Sequence, residues 1–265
     1  MNMQDTNGTI NTIVKDTIAT VEFAHPASNS FPRFLLERLT AEITALSSND
    51  AVVLIILKSS GTGAFCAGAS FDELLAVSNP EEGLTFFSGF AHLINAMRSC
   101  NKLIIGRVHG KAVGGGVGIA AACDYVFATE NAAIKLSELA IGIGPFVIEP
   151  AVSRKIGKMA MTKMTLNAQE WQSAVWAQQK GLYAEVFENA TVLDEALANF
   201  SMKLASYNPQ ALQEMKQVIW EGTAHWEKLL LDRAAISGQL VLSEFTKKAL
   251  GQFKNGKYLY LAAIP

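Results

Sequence analysis

The stretch LIIGRVHGKAVGGGVGIAAAC, residues 103–123, decides the fold class of this chain. Its first six residues are almost continuously apolar, which predicts a strand covered on both faces of a sheet. The glycine-rich residues 109–116 predict a tight turn, and the small side chains of 117–123 predict a closely packed helix. A strand, a glycine turn and a helix in succession indicate an α/β protein.

A second unit with the same order of elements comes earlier, at residues 53–75. The loop SGTGAFCAGA, residues 60–69, again supplies glycines after an apolar run. A helix is predicted to begin at Ser70, because Ser70 and Glu73 have the spacing of a capping box. Later segments have mainly helical patterns, which indicates an α/β core followed by a helical layer. These late helices are predicted at 168–179, 192–204, 209–222 and 225–253.

Composition argues against several classes of protein. The 265 residues carry a formal net charge of -2 and 17% are charged, which gives no basic surface for nucleic acid. Cys66, Cys100 and Cys123 form no CxxC pair, so we expect small buried side chains rather than disulfides or a metal site. The polar N-terminus lacks a signal-peptide core, and no apolar run reaches membrane-spanning length. We expect a cytoplasmic protein with no nucleic-acid or membrane partner.

The two glycine turns each place the first amides of a helix beside a buried strand. Such amides have no partner inside the helix, and glycine lets a ligand approach them closely. Two of them converging on one point would stabilise an oxygen that gains negative charge. The alternative, that the glycines only permit tight helix–strand packing, stays open at this level. The turn 114–118 lacks the GxGxxG spacing of a dinucleotide site.

Glu138 is the acid–base group that the pattern favours, because it lies in the otherwise apolar segment 135–142. A carboxyl in apolar surroundings holds its proton more tightly, which suits proton transfer near neutral pH. A solvated or helix-capping glutamate is the alternative. The histidines lie in separate segments and no serine or cysteine nucleophile motif accompanies them, so a hydrolytic triad is not indicated.

Together these motifs resemble the crotonase family, also called the enoyl-CoA hydratase/isomerase superfamily. The resemblance covers essentially the whole chain. It rests on the opening strand pair, Asn29-Ser30, and the segments 65–69, 108–116, 122–124 and 245–253. It implies a spiral of ββα units with a helical C-terminal trimerisation region. We expect a core with the CoA and active site over residues 1–200, and a region over 201–265 for trimerisation and CoA cover.

The resemblance also assigns roles to residues. Those implied in substrate or CoA binding are Ala67, Gly68, Ala69, Ser70, Gly115, Phe245 and Lys248. The backbone amides of Ala67 and Gly115 would bind the thioester oxygen of an acyl-CoA. Ser70 stands where members usually have aspartate, and Phe245 and Lys248 match residues that help hold CoA, sometimes across a subunit boundary. CoA is expected only as part of the substrate, with no separate cofactor, and self-association is expected to give a trimer or a dimer of trimers.

One expected glutamate of the family is missing. Typical hydratases carry a glutamate two residues after the three glycines, where this chain has Gly118, and a second one that Glu138 matches. Residues 136–150 are similar to a bacterial branch of methylglutaconyl-CoA and related branched-acyl hydratases, in which glycine also replaces the first glutamate. Glu149 lies inside this stretch and is our hypothesis for a second carboxylate.

These observations predict a lyase that adds water to a 2-enoyl-CoA, with a branched or carboxylated chain among the options. The thioester enolate would be stabilised by the two amides, and Glu138 would handle the proton. One alternative is a Δ3–Δ2 isomerase in which Glu138 alone moves the proton. Another is a non-catalytic acyl-CoA-binding homologue. The apolar tail 256–265 is expected to pack on a neighbouring element or subunit.

Overall fold

The chain begins with a two-stranded hairpin, seen in a computed structural model that describes residues 8–254. The two strands are antiparallel, with Lys15 paired to Ile18, and the turn residues Asp16 and Thr17 have positive φ. Buried and half-buried residues alternate along the second strand, as expected where one face of a strand lies on the core. The predicted opening strand pair is confirmed.

The strands form one large and one small sheet. In chain order they are β1 (Thr9–Lys15), β2 (Ile18–Ala24), β3 (Leu54–Ser59), β4 (Leu103–Val108), β5 (Ala112–Val113), β6 (Tyr125–Thr129), β7 (Ile134–Lys135) and β8 (Glu185–Phe187). The large sheet has the order β1-β2-β3-β4-β6-β8, and all its neighbours are parallel except β1 and β2. β5 and β7 form a second, parallel pair.

Helices surround the sheets and dominate the second half of the chain. The α-helices are α1 (Arg33–Ser47), α2 (Phe71–Ala76), α3 (Pro80–Ser99), α4 (Gly115–Ala122), α5 (Glu149–Ile156), α6 (Lys158–Leu166), α7 (Ala174–Gln179), α8 (Ala190–Ala205), α9 (Pro209–Ile219), α10 (Trp226–Leu240) and α11 (Glu244–Lys254). A 3-10 helix spans Glu138–Ile141. The mixed α/β class that the sequence predicts is confirmed.

The apolar runs of β3 and β4 are explained by cover on both faces of the sheet. Ile55 and Ile104 belong to a large core cluster that includes residues of α1, α3 and α4. Their neighbours Leu54 and Ile105 belong to a second cluster, which includes Leu193 of α8. Each strand therefore buries alternate side chains in different cores, and neither face needs polar residues.

Two predictions about helices are wrong. The helix predicted over 168–179 begins only at Ala174, because Gln172 pairs with Ile134 in extended backbone. The helix predicted over 225–253 is two helices, α10 and α11, and the side chain of Ser243 accepts a hydrogen bond from the Thr246 amide at the start of α11. Helices α5 and α6 were not predicted.

The C-terminal helices share the core of the preceding segment. The predicted division after residue 200 falls inside α8, and α10 packs extensively against α3. The function of the region 201–265 therefore stays a prediction, while its boundary does not correspond to a break in the fold. The tail 256–265 lies outside the described residues. Within residues 8–254, no helix combines the length and apolar character needed to cross a membrane.

Candidate active site

A cavity of about 470 Å³ lies where the two glycine turns meet α3, the 3-10 helix and α10. Residues 67–69 and 113–115 form part of its wall. Three aromatic side chains of α3 add apolar surface, namely Phe86, Phe87 and Phe90. A cleft with an apolar lining and a few polar groups is the usual form of a small-molecule site.

The two glycine turns approach each other closely in this wall. Gly68 has φ +91°, and a β-carbon on it would lie 3.7 Å from the Gly115 nitrogen. Gly114 has φ +53° and precedes the first residue of α4. A β-carbon on Gly115 would overlap the ring of Phe90. The glycines are thus required both by backbone conformation and by close packing.

The Ala67 amide, predicted to bind the thioester oxygen, already has a hydrogen-bond partner in the protein. The Ala67 amide donates a hydrogen bond to the Ser28 carbonyl at 3.1 Å, so it is not free to bind a substrate oxygen. The Ala69 amide has no hydrogen-bond acceptor within residues 8–254, since its neighbours Gly68 and Ser70 make the contacts with Phe31 instead. The candidate donor for the substrate oxygen in this loop is therefore the amide of Ala69 and not that of Ala67.

The Gly115 amide, the second predicted donor, is available for a substrate oxygen. It is the first amide of α4, and it has no acceptor among the described residues, as expected at a helix N-terminus. Ala69 and Gly115 both line the cavity, and their turns are in contact. Two free amides at this point can stabilise an oxygen that becomes negatively charged.

The carboxyl of Glu138 lies against the second glycine turn. Glu138 opens the 3-10 helix, and a β-carbon on Gly114 would be 2.8 Å from its Oε1. Its Oε2 is shielded from solvent and has no hydrogen-bond partner within the described part of the chain. Burial raises the pKa of the Glu138 carboxyl to about 7. The carboxyl can therefore accept and return a proton near neutral pH.

The place of the missing glutamate is filled by an apolar side chain. A β-carbon on Gly118 would overlap Cγ2 of Ile148 and lie 3.7 Å from Cδ1 of Ile94. Ile148 is buried and lines the cavity. A glutamate at position 118 does not fit this packing, so the cavity has an apolar wall where typical hydratases of the family have a carboxylate.

Glu149, our hypothesis for a second carboxylate, does not line the cavity. Its Oε1 accepts hydrogen bonds from Lys158 at 2.6 Å and from Ser153, and its Oε2 is bound by Arg233. Burial alone would raise the pKa of Glu149, but these three partners outweigh it and hold the pKa at about 2. The geometry contradicts an acid–base role, because the carboxylate is ion-paired outside the cavity.

Of the remaining predicted binding residues, Ser70 lines the cavity, whereas Phe245 and Lys248 do not. The Ser70 side chain accepts a hydrogen bond from the Glu73 amide at 3.4 Å, but Glu73 binds the Arg33 amide at 2.8 Å rather than that of Ser70. Only half of the predicted capping box is therefore present. Phe245 is exposed and its ring lies against Gly142, just after the 3-10 helix. Lys248 is exposed on the same helix, and neither Phe245 nor Lys248 lines the cavity.

Sequence reasoning missed the residues whose roles depend on distant contacts. The free amide of Ala69 follows from pairing with residues near position 31, and Ile148 fills a space some thirty residues away along the chain. Ser237, a buried serine on α10, also lines the cavity. The glycine motifs pointed to the right loop, but no local pattern distinguishes one amide of that loop from the next.

The fold and this cavity define a crotonase-type α/β protein. An enoyl-CoA hydratase from Bacillus halodurans matches with a TM-score of 0.85, over 91% of this chain and 98% of that chain. The two sequences are 20% identical, so this likeness concerns the fold alone.

The sequence profile described as Enoyl-CoA hydratase/isomerase matches residues 14–258, and the chain therefore belongs to this family of enzymes. It is 31% identical to 2,3-dehydroadipyl-CoA hydratase of Escherichia coli strain K12, over 73% of this chain and 74% of that protein. It is 35% identical to human mitochondrial methylglutaconyl-CoA hydratase over 44% of this chain and 34% of that protein. A peroxisomal Δ(3,5)-Δ(2,4)-dienoyl-CoA isomerase of Arabidopsis thaliana is 24% identical over 67% of each chain.

Proposed function

We propose that the protein adds water to a 2-enoyl-CoA, with Glu138 as the single acid–base group. The observation that carries this proposal is the Glu138 carboxyl, enclosed in the cavity beside two free amides and with no partner for its Oε2 within residues 8–254. The hydratases among the relatives support the same reaction class. The proposed thioester-oxygen donors are the amides of Ala69 and Gly115.

The reaction needs only one carboxylate if the same group handles both proton transfers. Water attacks C3, and the electron pair of the C2–C3 double bond moves towards the carbonyl to form an enolate. The two amides stabilise the enolate oxygen, while ionised Glu138 accepts the proton lost by the water. Protonated Glu138 then returns that proton to C2. The sum is the addition of one water molecule, and Glu138 ends in its starting form.

Isomerisation is the second candidate, and the apolar wall at Gly118 and Ile148 favours it. This wall removes the second carboxylate that would help hold a water molecule. In that case Glu138 would take a proton from C2 of a 3-enoyl-CoA, or from C4 in the reverse direction, and return it to the other carbon. The same two amides would stabilise the enolate.

A spectroscopic assay separates the two reactions. Hydration of a 2-enoyl-CoA removes a conjugated double bond and lowers ultraviolet absorbance, whereas isomerisation of a 3-enoyl-CoA creates one and raises it. We expect loss of absorbance with the 2-enoyl substrate. Gain of absorbance with the 3-enoyl substrate alone would support the isomerase. Binding of acyl-CoA without turnover of either substrate would support a non-catalytic acyl-CoA-binding homologue.

Glu138→Gln tests the assigned acid–base group. The variant keeps the shape of the side chain and removes its ability to accept a proton, so we expect kcat to fall by about 10²–10⁴-fold. Glu149→Gln is the matched control, because Glu149 is ion-paired outside the cavity. Its kcat should stay within about twofold of the parent enzyme. Full activity of Glu138→Gln would refute the assignment.

Substrate range and assembly complete the proposal. We propose that residues 67–70 contact CoA and that Phe245 and Lys248 cover it. The names of the Escherichia coli and human relatives support a panel of straight, branched and carboxylated enoyl-CoAs. We also propose self-association to a trimer or a dimer of trimers in the cytoplasm. Light scattering on the 28.5 kDa chain would measure this directly.

A further inference from the structure

Ser237 interrupts an otherwise apolar face of α10. The buried residues of this helix are Trp226, Leu230, Ala234, Ser237 and Gly238. Ser237 is 1% exposed and lines the cavity that holds Glu138. A hydroxyl at a buried position has an energetic consequence that depends on whether it finds a partner.

The Ser237 hydroxyl has no hydrogen-bond partner within residues 8–254. Serine in a helix often satisfies its hydroxyl by bonding to the carbonyl four residues earlier, and Ser237 does not. A buried hydroxyl without a partner is unfavourable, so a ligand oxygen that accepts a hydrogen bond from it satisfies a donor that is otherwise unpaired.

The position of Ser237 is fixed by close contact between two helices. A β-carbon on Gly83 of α3 would lie 2.5 Å from the Gly238 carbonyl oxygen, so the two backbones touch beside Ser237. The same helix α3 lines the cavity with Phe86 and Phe87. The Ser237 side chain therefore lies in an aromatic, apolar part of the cavity lining.

We propose that Ser237 is a specificity-determining residue that donates a hydrogen bond to an oxygen on the acyl chain of the substrate. This inference rests on the proposed function, because it requires an acyl-CoA in the cavity. A plain hydrocarbon chain leaves the hydroxyl unpaired, whereas a chain that bears an oxygen satisfies it. The substrate class is therefore an oxygen-bearing acyl-CoA.

The acyl oxygen has two chemical sources, a carboxylate and a neutral hydroxyl or keto group. Arg233, one turn before Ser237, is bound to Glu149 and is not available to a substrate carboxylate. Lys135 also lines the cavity, with its Nζ 4.4 Å from the centre of the Trp171 ring. The experiment distinguishes a carboxylate from a neutral oxygen by comparing acyl-CoA ligands of equal chain length that end in one group or the other.

The test uses saturated acyl-CoAs, which bind but have no double bond to react. Calorimetry measures Kd for chains ending in a methyl, a hydroxyl or a carboxylate group, with the intact enzyme and with Ser237→Ala. We expect at least one oxygen-bearing chain to bind the intact enzyme more tightly than the methyl chain. Ser237→Ala should weaken that ligand by about three- to tenfold and leave the methyl chain unchanged.

Ser201→Ala is the matched control, because Ser201 is also a buried helical serine without a hydrogen-bond partner among the described residues. It does not line the cavity, so Kd for every ligand should be unchanged. Ser237→Cys replaces the hydroxyl with a somewhat larger thiol that is a weaker donor, and it should behave like Ser237→Ala. Equal weakening of all three ligands by Ser237→Ala, or no weakening of any, overturns the inference.

Failure of the proposed function gives a different result. If the enzyme does not hydrate enoyl-CoA but Ser237 still discriminates among saturated ligands, the reaction assignment fails and the inference stands. If hydration is observed but Ser237→Ala preserves the preference for the oxygen-bearing chain, only the inference fails. Thermal unfolding of each variant identifies a loss of folding.

Discussion

The carboxyl of Glu138 has its unusual environment because the residues around it are small or apolar. Gly114 lets the carboxyl lie against the backbone of the second glycine turn. Burial raises its pKa to about 7, whereas Glu149, with three hydrogen-bonding partners, has a pKa of about 2. The two glutamates are only eleven positions apart in sequence, so their surroundings rather than their residue type separate a candidate acid–base group from a structural one.

The pKa of Glu138 predicts how activity depends on pH. Hydration begins with proton transfer to ionised Glu138, so the protonated form is inactive. We expect kcat/KM to rise with pH through about 7 and then to level off. A profile of kcat/KM against pH measures this, and a midpoint near the ordinary glutamate value of 4.5 would contradict the buried environment.

The raised pKa of Glu138 also makes the free energy of unfolding depend on pH. Below about pH 4.5 the carboxyl is protonated in both the folded and unfolded states. Between 4.5 and about 7 the unfolded chain releases the proton while the folded chain retains it, so the free energy of unfolding falls as pH rises. Glutamine does not titrate, so the free energy of unfolding of Glu138→Gln should not fall in this way. The variant should therefore become more stable than the parent enzyme across this window. Urea unfolding of both proteins at the two ends of the window measures the difference.

At the level of elements, the packing of α4 against α5 explains the missing glutamate. Gly118 lies in α4, and Ile148 immediately precedes α5 and fills the space beside it. A carboxylate at this position therefore requires a change on both sides of the contact. The loss of the first glutamate and the apolar residue at 148 form one structural feature.

Restoring a glutamate at position 118 should depend on Ile148. Gly118→Glu alone forces a clash with Ile148 and should lower the free energy of unfolding by about 1–3 kcal/mol or more. With Ile148→Ala added, the clash is relieved, and the double variant should be more stable than the sum of the two single effects predicts. Urea unfolding of all four proteins measures the coupling. Simple additivity would show that the two side chains do not compete for this space.

The crossing of α3 and α10 is the second contact between elements that affects the cavity. Gly238→Ala places a β-carbon 2.7 Å from the Gly83 carbonyl carbon, which pushes apart two helices that both line the cavity. We expect the free energy of unfolding to fall by about 1–3 kcal/mol and acyl-CoA binding to weaken.

Gly251→Ala is the control for that change. Gly251 is also helical, but a β-carbon there meets no atom within 4 Å. The substitution should therefore raise stability by about 0.5–1 kcal/mol, the usual preference for alanine in a helix. Thermal and urea unfolding compare the two variants. Equal effects would mean that the helix crossing is looser than the structure shows.

At the scale of the whole molecule, a buried polar network joins the C-terminal helices to the sheet. The Asp124 carboxylate accepts hydrogen bonds from Lys216 of α9 at 2.7 Å, from Trp220 and from the Ile104 amide of β4. Lys216 also donates to the Met97 carbonyl of α3 at 2.9 Å. The network connects regions far apart in sequence, in agreement with the shared core of the two predicted regions.

Lys216→Met should destabilise the whole molecule. It leaves the buried Asp124 carboxylate without its cation, and we expect the free energy of unfolding to fall by about 3–5 kcal/mol in a single transition. Lys228→Met removes the exposed partner of Asp232 and should change stability by less than about 1 kcal/mol. Urea unfolding distinguishes them. Two separate transitions for the Lys216 variant would show that the C-terminal helices unfold independently.

The local signals in the sequence determined the class of the fold and predicted the position of the candidate site. Apolar runs of strand length and glycine turns act over a few residues, so β4 has the predicted limits 103–108 and both glycine turns line the cavity. Glu138 was identified because its flanking residues are apolar. The helix predicted over 168–179 failed, since pairing of Gln172 with distant Ile134 overrides the local pattern.

The tertiary structure alone decided which groups are free to act. The amide of Ala69 rather than Ala67 is available, Ile148 occupies the space beside Gly118, and Glu149 is ion-paired outside the cavity. The hydroxyl of Ser237 also lacks a partner within residues 8–254. Whether a polar group already has a partner depends on residues that lie tens of positions away in sequence, because hydrogen bonds and packing are satisfied in space. A local sequence pattern does not contain that information.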